Sequence, residues 1–158
     1  MKKVLILLIF FINMNLPSKI YGDTIIIKFK VNDDLITNYD IIKEAKYLTA
    51  LNQELRTIND NQILELAKDS LLREKIKKYE IEKYYEVNYE ADAVNIFIDD
   101  MMKKNGFNNK LNFETYLEQN ETNLTELRKK LVIEQTWNKM IFDIYKDKIK
   151  IDKKKISN

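Results

Sequence analysis

Cysteine and histidine are both missing from the 158-residue sequence, which has two glycines and one proline. Without cysteine there is no disulfide, no thiolate nucleophile and no sulfur-ligated metal or redox centre. Without histidine there is no imidazole for acid–base work, no Ser-His or Cys-His nucleophile and no ordinary zinc site. Gly22 and Gly106 lie far apart, so no glycine-rich loop can cradle a phosphate. What remains is a binding or structural protein, or an enzyme working with carboxylates, lysine or tyrosine alone. No cofactor and no metal are expected.

A clear charge excess is also lacking. The 27 basic and 25 acidic residues nearly cancel, and Lys2, Lys3 and Lys19 sit in the first 22 positions, where there is no acid. The rest of the chain therefore carries no basic footprint of the kind nucleic acid requires. Lys146, Lys148, Lys150, Lys153, Lys154 and Lys155 form a local exception, read as a solvated helix end and tail whose charge suits the helix dipole.

One long hydrophobic run exists. Lys2-Lys3 precedes an unbroken apolar stretch over residues 4–12, which fades into Pro17-Ser18-Lys19-Ile20-Tyr21-Gly22. A charged start, an apolar centre and a small-residue end form the order of a secretory signal. The run falls short of the ~20 residues a spanning helix needs. The expectation is a signal over residues 1–22, cut after Gly22, and one exported domain over residues 23–158 in a periplasm, with no stable membrane insertion thereafter. An uncleaved anchor and a buried helix are the alternatives.

The rest predicts an all-α chain with one short N-terminal strand. Residues 24–31 are β-branched and end in the alternation Ile27, Phe29, Val31, which reads as a half-buried strand. Asn32-Asp33-Asp34 is a turn cluster. Thr37 with Asp40 spaces a capping box, and Ile36 with Ile41 a hydrophobic staple, opening a helix over residues 38–53. It should bury Ile41, Ile42, Ala45, Leu48 and Leu51. A second helix is expected over residues 60–84, and a third from Asn88 to Asn105-Gly106, where glycine suits a left-handed cap. A short helix over 113–119 would follow an Asn112 cap, and the last would open at Asn123 and run to about Lys148.

That last helix carries two apolar stripes. Leu124, Leu127, Leu131, Phe142, Tyr145 and Ile149 gather on one side, and Ile133, Trp137, Met140 and Ile144 on another, with Lys130, Glu134 and Lys148 between. One core needs one stripe. At about 1.5–3 kcal/mol per fully buried large side chain, a second stripe left in water forgoes several kcal/mol. Either the helix is central and touched on both sides, or one side is kept for a partner or client. On the second reading Ile133, Trp137, Met140 and Ile144, with the adaptable Met101 and Met102, line a peptide-binding groove. Tyr84, Tyr85 and Tyr89 could stack on a client's aromatics. Candidate chemistry is thin: Asp99/Asp100 and Glu80/Glu82 would point well apart on helices, and Asp33/Asp34 read as turn formers. No catalytic residue is assigned.

The order of features also carries a resemblance. An export signal precedes Val31-Asn32-Asp33-Asp34-Leu35-Ile36-Thr37 and Asp40. Ser70-Leu71-Leu72-Arg73-Glu74-Lys75-Ile76, Tyr85-Glu86-Val87-Asn88, Asn105-Gly106 and Leu127-Arg128-Lys129-Lys130-Leu131 follow. Over residues 24–156 this resembles the N-terminal domain of the SurA-type periplasmic chaperones and peptidyl-prolyl isomerases, and the client-binding fold also seen in trigger factor. The resemblance implies a multihelical irregular array that holds unfolded outer-membrane proteins, or other aromatic-rich segments, without ATP. Members usually continue into parvulin modules built around a histidine-lined site. This sequence has no histidine and reaches residue 158 where such a module would begin, so the expectation is a non-catalytic domain, either stand-alone or part of a longer product. The other reading is a docking or assembly subunit that meets a separate isomerase-bearing chain or a second copy.

Overall fold

A computed structural model describes residues 25–146 and residue 148. The signal over residues 1–22, and Ile149 with most of the lysine-rich end, lie outside the described residues. The architecture is mainly helical with a two-stranded antiparallel sheet. The strands are β1 (Ile27–Val31) and β2 (Asp34–Thr37). The helices are α1 (Asn38–Leu51), α2 (Asp60–Glu82), α3 (Val94–Lys104), α4 (Lys110–Gln119) and α5 (Leu124–Tyr145), with a 3-10 turn at Gln53–Thr57 between α1 and α2.

The hairpin corrects the reading of a lone strand. Asp34 leaves the turn cluster and pairs with Val31, while Leu35 and Ile36 pair with Lys30 and Phe29. Asn32 takes the positive φ of 52° that the two-residue loop requires, a conformation asparagine tolerates better than most residues. β2 is hard to see in sequence because it has four residues and runs directly into a helix cap. The cap itself forms as expected. The Thr37 hydroxyl accepts from the Asp40 amide, and the Asp40 carboxylate accepts from the Thr37 amide at 2.8 Å. Asn38 then pins the strand from the helix side: Ile26 donates to its side-chain oxygen, and its own amide donates to the Ile26 carbonyl.

Other boundaries move for local reasons. Asn88 opens a turn rather than α3, since its side chain accepts from the Glu90 amide at 3.0 Å. Further turns to Ala91 and Val94 follow before the helix starts. Asn109, not Asn112, caps α4, accepting from the Leu111 and Asn112 amides. α3 ends as expected at Gly106 (φ 81°), with Phe107 donating to the Met102 carbonyl and Gly106 to that of Lys103. This is the paired bonding of a Schellman cap. The same pattern closes α4, with Glu121 (φ 56°) in the left-handed position.

α5 is the shared wall of the core. Leu127 joins Met102, Phe113 and Leu117 in a cluster that also takes Tyr47 and Leu51 of α1. Val132 packs with Val94 and Ile98 of α3. Ile133 and Met140 pack with Ile81 at the end of α2, under Tyr85, Val87 and Tyr89. Within α1 the inward residues are Glu44, Ala45 and Ala50, and Ile42 faces solvent, contrary to the expected stripe. Leu66 of α2 and Phe97 of α3 are likewise exposed.

Phe113 is wholly enclosed and Leu111, two residues earlier on the same helix, is 68% exposed. Phe113→Ala should therefore lower the unfolding free energy by about 3–5 kcal/mol. Leu111→Ala should stay within about 0.5 kcal/mol of the parent. Urea titrations followed by circular dichroism compare the two.

Candidate functional site

The apolar candidates on α5 divide by height along the helix. Ile133 and Met140 are sealed beneath Ile81 and the tyrosine segment, with almost no area left for a client. Trp137 is half-buried in the same cluster. Ile144 is 44% exposed, and so are its neighbours Phe142 (61%) and Tyr145 (47%), which the sequence places on the other stripe. Met102 is buried and Met101 half-buried, but both belong to the cluster around Phe113 and not to the one around Trp137. The six residues thus do not line one groove. The second stripe is covered through Met140 by the end of α2 and residues 85–89, and among the described residues α5 exposes large apolar side chains over its last turns, Phe142 and Tyr145 from one stripe and Ile144 from the other. Of the tyrosines, Tyr85 and Tyr89 support the sealed cluster and Tyr84 is 70% exposed.

A second feature has no counterpart in the sequence reading: a charge knot where α1, α2 and α5 meet. Lys130 of α5 pairs with Glu44 of α1 at 2.8 Å and with Glu74 of α2. The Ser70 hydroxyl donates to the other Glu44 oxygen at 2.7 Å. The Lys130 ammonium also lies 5.0 Å from the centre of the Tyr47 ring. Glu44 is buried, so its charge is tolerable only because both oxygens are satisfied. The sequence signal was Lys130 itself, lying between two apolar stripes; its carboxylate partners come from 56 and 86 residues away and cannot be read from helical spacing.

Above the knot lies a cleft of about 220 Å³ whose lining includes Arg73, Lys77, Glu134 and Tyr47. Lys77 donates to both Glu134 oxygens, at 2.7 and 2.6 Å. Burial alone would push the Lys130 ammonium down, but the Glu74 and Glu44 carboxylates outweigh it and hold it above its ordinary 10.5. A lysine so held stays protonated, which is the opposite of what a general base needs. Burial, reinforced by Glu44 and Glu74, likewise pushes the Tyr47 phenol up. The knot is a strut.

The acidic pairs are also accounted for. Asp34 pairs with Lys75 of α2 at 3.0 Å, a hydrogen bond that holds its carboxyl below the usual range and ties the hairpin to the helix. Asp99 and Asp100 are exposed on α3. Among the described residues no group of three or more acidic side chains is arranged to hold a metal ion, and no helix is long and apolar enough to cross a membrane.

Lys130→Met leaves Glu44 buried without its cation and should cost about 3–5 kcal/mol. Replacing Glu44 and Glu74 by leucine in the same chain should recover much of the loss. Because the folded Lys130 titrates above 10.5, its contribution is complete below that pH and is lost as the pH rises through the folded value; Tyr47 acts in the same direction. The parent should therefore lose more stability than Lys130→Met in urea titrations carried from neutral pH to above 10.5. Set against protein-family models, curated proteins and solved structures, the chain matches none of them.

Proposed function

We propose that the chain is an ATP-independent periplasmic chaperone domain that holds unfolded outer-membrane-protein segments against apolar surface at the outer end of α5. The observation that carries this reading is that Phe142, Ile144 and Tyr145, within the last four residues of α5, are each 44–61% exposed. Scattered single apolar residues at a surface are ordinary, but large ones gathered on one element point to a binding face. The export signal expected over residues 1–22 and the resemblance to SurA-type chaperones supply the compartment and the client class. The open hairpin, where Ile25, Ile26 and Ile27 are 48–71% exposed, adds a strand edge able to pair with an extended chain.

Affinity on such a surface comes from burying client aromatics and aliphatics at about 25 cal/mol per Å² of apolar area, offset by the cost of ordering the client. Weak, reversible and sequence-tolerant binding is the outcome, which suits holding rather than folding. No step needs a nucleotide or a catalytic group.

The protein in several-fold excess should suppress the aggregation of a denatured porin, followed by light scattering. Phe142→Ser, Ile144→Ser and Tyr145→Ser together should reduce that suppression severalfold while each costs no more than about 0.5 kcal/mol of stability. Absence of suppression by the parent protein would remove the reading. A concentration-dependent dimer that buries the same three side chains would replace it with the docking-subunit reading.

A further inference from the structure

α2 is held on three sides and apolar on the fourth. Its buried residues Ala67, Leu71 and Ile81 face the core. Ser70 and Glu74 reach the charge knot, Lys77 reaches Glu134 of α5, and Lys75 ties down the hairpin through Asp34. On a projection at about 100° per residue, Leu72, Ile76 and Tyr79 gather within about 60° of one another on the remaining side. Ile76 is 50% exposed, Tyr79 44%, and Leu72 is half-buried. A helix supported by one core needs one apolar stripe. α2 carries a second, which the described residues leave largely open.

The charges along this stripe are ordered. Asp69 lies before the apolar centre and Lys83 after it, while Arg73 and Glu80 flank it on one side. Asp69 and Arg73 are exposed and form no ion pair among the described residues, Lys68 beside Asp69 being bound to Glu65. Glu80 and Lys83 pair with each other at the surface. Turned end for end about Ile76, the stripe is its own complement. Asp69 then meets Lys83 of a second copy, Arg73 meets Glu80, Leu72 meets Tyr79, and Ile76 meets Ile76. Every pair is centred within about half a residue of position 76, as a two-fold axis there requires. Arg73 and Glu80 share one flank, and an antiparallel two-fold brings like flanks together. A parallel pairing would set Asp69 on Asp69 and Lys83 on Lys83, so charge selects the antiparallel one.

We infer that the outward stripe of α2 is a homodimer interface, in which two copies pair antiparallel across a two-fold axis at Ile76. Burial of Leu72, Ile76 and Tyr79 supplies the attraction, and the charge pairs on either side of them fix register and orientation. A single helix pair falls at the small end of specific interfaces, so the association is weak and follows protein concentration. The inference does not rest on the outer end of α5 holding clients.

Sedimentation equilibrium on the full chain, as its host processes it, should show a monomer–dimer equilibrium. Ile76→Glu sets two carboxylates against each other at the axis and should raise the dissociation constant at least about tenfold. Arg73→Glu and Glu80→Arg each oppose like charges twice per dimer and should weaken self-association in the same direction. Mixed in equal amounts, these two variants should regain the parent affinity, because the exchanged charges then face each other across the axis. That recovery cannot come from a folding defect. Phe142→Ser, Ile144→Ser and Tyr145→Ser together should leave the dissociation constant unchanged, which separates this contact from the surface proposed for clients. A monomer at every concentration up to about 1 mM would overturn the inference. A dimer indifferent to Ile76→Glu, or a mixture of the two charge variants that recovers nothing, would overturn it equally.

Discussion

Lys130 is the point on which three helices agree. Its ammonium bridges Glu44 of α1 and Glu74 of α2 from the middle of α5, and Ser70 completes the bonding of Glu44. A charge in such a place is costly unless every partner is in position, so the knot penalises any sliding of α1 or α2 along α5. Neighbouring pairs repeat the same register: Lys43 with Glu126 below it, Lys77 with Glu134 above it, and Tyr85 with Asp143 at the far end. Apolar contacts can slide by a turn and still be greasy. This ladder cannot.

With the register held, the fate of each α5 side chain follows from where its neighbours stop. α2 ends at Glu82, and the tyrosine segment extends its cover over Met140 and Ile141, with Tyr85 reaching Asp143. Beyond that the helix continues to Tyr145, where Phe142, Ile144 and Tyr145 keep 44–61% of their area exposed although the Lys148 ammonium lies 5.2 Å from the centre of the Tyr145 ring. The apolar surface proposed for clients is thus an end of a helix outrunning its support, not a groove between layers.

Much of the fold was legible in the sequence because local chemistry decided it. The Thr37–Asp40 box, the Asn123 cap and the Gly106 left-handed close depend on residues within four positions, and all three form. What was illegible depended on distant partners or on competition between equals. Asn109 and Asn112 are equally good caps by type, and only the chain's path after Gly106 favours the first. Glu126 stands three residues after the Asn123 cap, the spacing of a capping box, yet its carboxylate pairs with Lys43 of α1. For the candidate site, helical projection separated the two stripes of α5 correctly in angle but could not say how far along the axis each was covered. Ile133 and Met140 therefore seemed as available as Ile144, and Met101 and Met102 seemed to belong with Trp137 when they lie in a different cluster.

The central claim is that unfolded polypeptide is held at the outer end of α5 and not within the body of the domain. Amide and side-chain chemical shifts recorded while a porin-derived, aromatic-rich peptide is added test it most directly. The account predicts progressive shifts at Phe142, Ile144 and Tyr145, smaller ones at Trp137, and none at Phe113, Leu117 or Met102. Shifts confined to the cluster around Phe113, or no shifts at peptide concentrations that saturate any binding, would contradict it.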